Sequence, residues 1–394
     1  MMRRRRANCV AAALLVAAVA YGATRPGAAQ TQPPGGSSPS LAHEGLTKQS
    51  VMLAVSGPAG AYKLEAVVVR PAKAVDRLPV VLLTHGKQRS GADMANMRAE
   101  LMLPQARDFA HRGWLAVAVV RRGFGRSDGK PGVATNAPYA KCSLPDLQRY
   151  FAVESDDLEA ALRAISARPD ADGSRMIALG ASVGGGAALA LAARRPKGLV
   201  AAVNLAGGVR LTNAKGELVC PAETPIAALA SFASAKMPTL WVYSENDAVT
   251  PRENAQQLND RYVQAGGLAD FHVAPALRQD GHFVFELPEG RVHWLAALDP
   301  FLRKHNLPTW QPSQVDALLR AEKIPPASRS IVEKYFSLYT PKALIEGGGF
   351  VTYTANTRGI EEARTAALAQ CQQKIGRPCR TVLENFSPAA TSSR

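Results

Sequence analysis

The chain has 394 residues, 47% of them hydrophobic and 20% charged, with a formal charge of +15. That length suits one large α/β domain with a small appendage, or two ordinary domains, and the apolar fraction is that of a globular chain with a substantial core. With 32 glycines and 27 prolines the composition excludes a collagen-like or disordered chain, and no apolar run reaches the roughly 18–20 residues that a membrane span needs.

The first residues read as a leader. Arg3–Arg6 form a positive start, Val10–Ala20 is an apolar run, and Gly27-Ala28-Ala29 offers a small-residue cleavage site before Gln30. This order matches a secretory signal over 1–29, and the adjacent arginines leave both the general and the twin-arginine export routes open. Residues 30–46, with Pro33-Pro34-Gly35-Gly36-Ser37-Ser38-Pro39, read as a flexible tether. The remaining Lys and Arg are scattered, with no dense basic stripe and no interleaved aromatics, so nucleic acid is not an expected partner. The basic balance is read as a solvated surface, with attraction of acidic substrates or envelope polymers as the minor alternative.

Cys9 falls inside the leader, which leaves Cys142, Cys220, Cys371 and Cys379. An even number suits an oxidising compartment, and four cysteines allow three connectivities. The favoured pairs are Cys371–Cys379, close in sequence, and Cys142–Cys220, both in loop-like stretches. No CxxC or Cys/His cluster is present, so no metal is expected.

From residue 47 the pattern is one of strands. Gln49–Val55 and Lys63–Arg70 flank Gly57-Pro58-Ala59-Gly60 and predict a hairpin. Pro79–Thr84 and Trp114–Val120 are continuous apolar runs, as in strands buried on both faces, with helical spacing over 93–112 between them. Ser155, followed by Asp156, Asp157 and Glu159, predicts a helix N-cap, and Leu158, Ala161, Leu162 and Ile165 its buried face. Further strands are predicted at Met176–Leu179, Leu199–Leu205, Thr239–Tyr243 and Asp270–Val273, and a last helix over 289–304. Alternating strands and helices imply a mostly parallel sheet covered on both faces. Residues 209–236 exceed a simple connection and read as an insertion over the sheet's edge.

The strongest chemical signal is Gly180-Ala181-Ser182-Val183-Gly184, between a strand ending at Leu179 and an Ala-rich helix. A serine on so tight a strand-to-helix turn has its hydroxyl lifted clear of the sheet, and glycines flank it because side chains there would meet backbone. Such a serine needs a base held by an acid. His282, in Gln279-Asp280-Gly281-His282-Phe283 beyond the last strand, is the best-placed histidine. His43 lies near the tether, His111, His293 and His305 on predicted helices, and His272 inside a strand as a packed side chain. Asp247, just past a buried strand, is the chosen acid, with Glu245 and Asp280 as rivals.

On these pieces, residues 47–306 resemble an α/β-hydrolase, nearest in style to secreted dienelactone-hydrolase-like or carboxylesterase-like members. The resemblance rests on Leu83-Thr84-His85-Gly86-Lys87, Arg122-Gly123-Phe124-Gly125-Arg126-Ser127-Asp128-Gly129, the Ser182 elbow, the Asp247 turn and the His282 loop, all in the family's order. It implies an oxyanion hole built from the backbone N–H groups of Lys87 and Val183, and a structural role for His85. Dienelactone hydrolases themselves use a cysteine nucleophile where this chain has Ser182, so their lactone substrate does not carry over. Arg121, Arg122 and Arg126 read as structural hydrogen-bond donors, with recognition of an acidic substrate as the alternative.

Residues 307–348 read as a linker with two short helices within 312–340 and a hinge at Gly347-Gly348-Gly349. Residues 349–388 read as a small α+β module: a strand at Phe350–Ala355, a helix at Ile360–Gln373 and a strand at Arg380–Glu384. With Cys371 and Cys379 this module resembles a small disulfide-containing unit of exported bacterial proteins. The expectation is an exported, periplasmic or extracellular serine hydrolase that cleaves a small-molecule carboxylic ester without a cofactor. A peptidase on the same fold and a catalytically inactive, envelope-binding scaffold are the alternatives. The sequence specifies no oligomeric state.

Overall fold

A computed structural model describes residues 41–389, apart from 59, 75, 88–90, 131–141, 210–219 and 356–357. The leader expected over 1–29 and most of the tether lie outside the described residues. Eight strands form one sheet: β1 (Leu46–Gly57), β2 (Gly60–Pro71), β3 (Leu78–Thr84), β4 (Leu115–Val119), β5 (Ala171–Ala181), β6 (Leu199–Leu205), β7 (Pro238–Ser244) and β8 (Leu268–Ala274). Their order is β1-β2-β4-β3-β5-β6-β7-β8. The β1–β2 and β2–β4 pairs are antiparallel, and every other pair is parallel. The chain runs from β3 outward to β4 and then crosses back to β5 on the other flank of β3. That reversal opens a crevice at the carboxyl ends of β3 and β5, where doubly wound sheets place their ligands.

Seven helices cover this sheet or connect its strands: α1 (Gly91–Asn96), α2 (Leu103–Ala110), α3 (Leu144–Ser166), α4 (Val183–Arg194), α5 (Glu223–Ala230), α6 (Arg252–Gln264) and α7 (Pro288–Lys304). One face of the sheet packs Val81, Leu83, Ile177 and Val203 against Phe109, Trp294 and Phe301 of α2 and α7. The other packs Val80, Leu82, Val117 and Ala178 against Leu158, Leu162, Ile165 and Leu191 of α3 and α4. Alternate residues of β3 thus serve opposite cores, the reason its sequence is apolar from Leu78 to Leu83.

Three local expectations change. Helix α3 begins at Leu144, capped by the Ser143 side chain accepting from the Asp146 N–H, with Pro145 in its first turn. Ser155 is therefore mid-helix, its hydroxyl donating to the Ala152 carbonyl at 2.7 Å; Leu147 and Phe151 extend the same buried face toward the N-terminus. The helix expected over 93–112 is broken between α1 and α2, where the Ala99 N–H turns to the buried Glu65 carboxylate at 3.0 Å. At the end of the expected tether, Leu41–Glu44 forms a 3-10 turn, held because buried Glu44 pairs with Arg107 and with His111.

The C-terminal part contains α8 (Pro312–Ala321), α9 (Arg329–Ser337), β9 (Lys342–Gly347), β10 (Phe350–Ala355), α10 (Ile360–Ile375), β11 (Arg380–Glu384) and β12 (Ser387–Pro388). The four strands form an antiparallel sheet in the order β10-β9-β11-β12. One of its two inner strands, β9, lies in the stretch expected to be linker, and the expected glycine hinge is the β9–β10 hairpin turn, with Gly348 and Gly349 at φ 56° and 87°. Lys342 hides this strand from a reading of polarity. Its side chain is fully buried, with Nζ donating to the carbonyls of Tyr335, Phe336 and Leu338 at 2.8–2.9 Å and lying 3.9 Å from the centre of the Phe386 ring.

Two buried carboxylates join this part to the hydrolase-like body. Asp299 of α7 accepts from Arg112 and from the Trp310 indole, and Asp108 of α2 accepts from Arg291 and from both the N–H and hydroxyl of Thr340. Disulfides join Cys142 to Cys220, 78 residues apart, and Cys371 to Cys379, 8 apart.

Candidate active site

Ser182 follows β5 directly and precedes α4, with φ 53° and ψ −124°. A non-glycine residue in that region costs on the order of 1–3 kcal/mol, which the surrounding hydrogen bonds must over-determine. They do: the Ser182 N–H donates to the Leu205 carbonyl at 2.9 Å, and its carbonyl accepts from Gly185 and Gly186. The flanking glycines are sterically required. A Cβ on Gly180 would lie 2.0 Å from the Gly184 carbonyl oxygen, and one on Gly184 would lie 2.4 Å from that of His85.

The hydroxyl of Ser182 lies 2.9 Å from His282 Nε2. His282 Nδ1 lies 2.9 and 3.1 Å from the two carboxylate oxygens of Asp247. The Asp247 side chain is fully buried, and its Oδ1 also accepts from the Val249 and Thr250 N–H groups, both at 2.8 Å. Those donors hold the carboxylate in one orientation and sustain its charge away from water. Burial disfavours an imidazolium at His282, but the hydrogen bond and charge of Asp247, with smaller contributions from Glu286 and Asp280, lift its pKa above the usual histidine value.

The acid and histidine loops are tied to each other by three polar side chains that the sequence reading did not single out for this. Ser244 donates to the Gly281 carbonyl, Asn246 accepts from the Leu277 N–H and donates to the Leu277 and Arg278 carbonyls, and Asp280 accepts from the N–H groups of Ala248 and His282. Asp280, a rival for the acid, is thus occupied in bracing the histidine turn. Glu245, the other rival, is half exposed and faces Arg252. The signal for the brace was the polar run Ser244-Glu245-Asn246 straight after a buried strand, but which loop it meets is a long-range fact.

The other histidines lie elsewhere. His111 is bound to Glu44, and His305 stacks edge-on to Phe301 beyond α7. His272, expected to be packed, is exposed because β8 is an edge strand with a solvent-facing side. His85 is buried next to the elbow, and burial together with the Arg121 charge pushes its pKa far down, so it is neutral.

Lys87 follows β3 at the crevice, and Val183 is the first residue of α4, where an amide has no intrahelical acceptor. A Cβ on Gly86 would sit 3.0 Å from the Ser182 Cβ, so the loop carrying Lys87 lies against the serine. A pocket of about 230 Å³ is lined by apolar side chains such as Val209, Ile226, Leu229 and Val249, with Thr250 and Asn254 as polar groups. Gly207 and Gly208 on its wall adjoin the elbow, Gly208 N–H lying 3.4 Å from the Ser182 carbonyl. Arg121, Arg122 and Arg126 pair with Glu154, Asp157 and Glu65, respectively. Among the described residues no group of three His, Cys, Asp or Glu side chains could hold a metal ion, and no helix is long and apolar enough to cross a membrane.

Residues 60–267 match the family model described as X-Pro dipeptidyl-peptidase (S15 family). The chain belongs to the S15 family. The match begins at β2 and ends before β8, so it contains the Ser182 elbow and the Asp247 turn and stops short of the His282 loop. No curated protein matches this S15-family chain. Among solved structures it is similar to an esterase of Pyrococcus furiosus, at 15% identity over 67% of this chain and 95% of that one, with a TM-score of 0.47. A dienelactone hydrolase-like promiscuous phosphotriesterase from metagenomic libraries matches at 19% identity over 59% of this chain and 82% of that one, TM-score 0.40. Dipeptidyl peptidase 4 of Porphyromonas gingivalis matches at 19% identity over 60% of this chain and 33% of that one, TM-score 0.40. The S15-family chain has the α/β-hydrolase fold, a mostly parallel wound sheet, followed by a small antiparallel sheet with its disulfide.

Proposed function

We propose that this hydrolase acts by acyl transfer from Ser182, and that its substrate is a carboxylic ester. The observation that carries the reading is the continuous hydrogen-bonded line from Ser182 Oγ through His282 to buried Asp247, each step 2.9 Å. His282 takes the Ser182 proton as the hydroxyl attacks the carbonyl carbon, and Asp247 holds the ring with its proton on Nδ1 and stabilises the imidazolium that forms. The Lys87 and Val183 amides take the oxyanion of the tetrahedral intermediate. One such donor is typically worth about 10²–10³ in rate. His282 then protonates the leaving alcohol, and water attacks the acyl-enzyme by the same route in reverse. The apolar pocket beside the elbow suits a compact hydrocarbon group of the substrate.

A peptidase on the same machinery is the second reading, and the S15 family match favours it. A fluorophosphonate probe followed by a panel of p-nitrophenyl esters and aminoacyl anilides tests both. The ester reading expects labelling with turnover of short-chain esters and little of anilides; preferential anilide cleavage would replace it with the peptidase. An unlabelled protein would leave only an inactive binding scaffold. Export is part of the proposal: two disulfides are compatible with an oxidising compartment.

A further inference from the structure

The side chain of Arg121, two residues past the end of β4, is 1% exposed and has no access to a substrate. It is nonetheless aimed at the loop that carries one of the two oxyanion amides. Its Nη1 donates to the His85 carbonyl at 2.6 Å and to the Thr84 hydroxyl at 2.9 Å, and its Nη2 lies 3.5 Å from the Gly86 carbonyl. Its Nε donates to Glu154 of α3 at 2.6 Å, which balances the charge inside the protein.

The main chain of Arg121 adds a second constraint. Its N–H donates to His85 Nε2 at 3.1 Å. With Nε2 occupied as acceptor, the proton of this neutral ring sits on Nδ1, which donates to the Gly86 carbonyl at 2.7 Å. The Gly86 carbonyl is therefore pulled toward His85 and Arg121. In a trans peptide the N–H points opposite to the C=O, so the Lys87 N–H is turned away from that pair. Gly86 itself lies against Ser182, a Cβ there standing 3.0 Å from the Ser182 Cβ and 3.6 Å from its hydroxyl. Arg121 also reaches the elbow: its Nη1 is 3.2 Å from where a Cβ on Gly184 would stand. One buried guanidinium thus lies between the two turns that carry the oxyanion donors.

We propose that Arg121 is the positioning residue of the oxyanion hole, setting the direction of the Lys87 N–H and its spacing from the Val183 N–H without touching substrate. The proposal rests on the acyl-transfer reading given above. Such a residue acts on the transition state alone, because the tetrahedral oxyanion uses the two amides more fully than the ground-state carbonyl does.

The test uses the full chain with Arg121→Met, Arg121→Lys, and the double variant Arg121→Met/Glu154→Gln, which leaves no unpaired buried carboxylate. Arg122→Lys, one residue on and paired with Asp157, is the control and keeps wild-type kinetics. With a short p-nitrophenyl ester, kcat falls about 10- to 100-fold in both Met variants while KM changes less than threefold, and Lys restores part of the loss. The inhibition constant of a trifluoromethyl ketone, whose adduct presents the same oxyanion, rises in proportion to the loss in kcat/KM. The acid limb of the pH profile stays in place, because His282 keeps its partners. A folded Met or double variant within twofold of wild-type kcat overturns the proposal, as does a rise in KM alone or an inhibition constant that does not follow kcat/KM. An inert wild-type protein, unlabelled by fluorophosphonate, would instead bring down the acyl-transfer reading, and the proposal with it.

Discussion

Replacing Asp247 by Asn removes one negative charge and leaves the shape of the site intact. His282 Nδ1 lies 2.9 Å from Asp247 Oδ1, and the Asp247 side chain is shielded from water, so the centres of charge are taken as about 4 Å apart. At an effective dielectric constant of about 20, an imidazolium there gains roughly 4 kcal/mol from the carboxylate, or about 10³ in the rate of a step that forms it. A second loss follows from the hydrogen bonds. Oδ1 already accepts from the Val249 and Thr250 amides, so an asparagine keeps its carbonyl there and turns its NH₂ toward His282 Nδ1. That favours the tautomer with the proton on Nε2, which cannot accept from Ser182. The combined loss should approach about 10⁴ in kcat, measured with a p-nitrophenyl ester in a variant whose melting temperature is checked. The pH profile supplies the signature. With His282 as the proposed base, wild-type kcat/KM falls as the pH drops through its pKa, which lies above the usual histidine value because of Asp247. In Asp247→Asn burial acts without that compensation, and the midpoint of the residual activity moves to lower pH. A variant within tenfold of wild type, or an unmoved acid limb, would refute the assignment of Asp247.

Gly180→Ala places a methyl 2.0 Å from the Gly184 carbonyl oxygen; reaching ordinary contact needs the elbow to move by more than 1 Å, and a displacement of that size costs about 10²-fold in kcat/KM. Wild-type activity in that variant would contradict the steric argument. Lys342→Met removes a donor from three buried carbonyls, of which those of Tyr335 and Phe336 keep the Leu338 N–H and Arg112 Nη2, and should destabilise by about 2–4 kcal/mol, seen as a melting temperature lower by on the order of 10 °C; an unchanged melting temperature would mean that the buried amino group is not needed. Replacing Cys142 and Cys220 by Ser opens a 78-residue loop, worth about 4–5 kcal/mol in the chain-entropy account, against about 2.5 kcal/mol for the short Cys371–Cys379 loop. Denaturant midpoints should fall in that order, and the reverse order would show that native contacts outweigh loop length.

The parts of the molecule legible in the sequence are those dictated locally. β4 is apolar throughout, and β3 and β6 are so except for Thr84 and Asn204, because alternate residues meet different cores, and Gly180 and Gly184 report backbone crowding within five residues. His282 and Asp247 could be singled out because each sits in a turn just beyond a strand, where side chains reach the carboxyl edge of the sheet. What stayed hidden depends on partners far along the chain. Ser155 carries every mark of a helix cap, yet Ser143 with Pro145 starts α3 earlier and the apolar face of Leu147 and Phe151 continues it. β9 begins with a lysine that a polarity pattern assigns to solvent; only the carbonyls of Tyr335, Phe336 and Leu338 make its burial possible. Arg121 was legible as a structural arginine, but its hold on His85 and Gly86 depends on β3 and β4 being neighbours.

In the proposed mechanism a Ser182 alkoxide equivalent attacks the substrate carbonyl and carries the acyl group. The most direct measurement is intact-protein and peptide mass spectrometry after brief exposure to a slowly deacylating ester or a fluorophosphonate, with Ser182→Ala alongside. The acyl-transfer mechanism predicts one adduct per chain on the peptide containing Ser182, and neither adduct nor turnover in the folded Ala variant. An adduct on another residue, or ester turnover that survives Ser182→Ala, would contradict it.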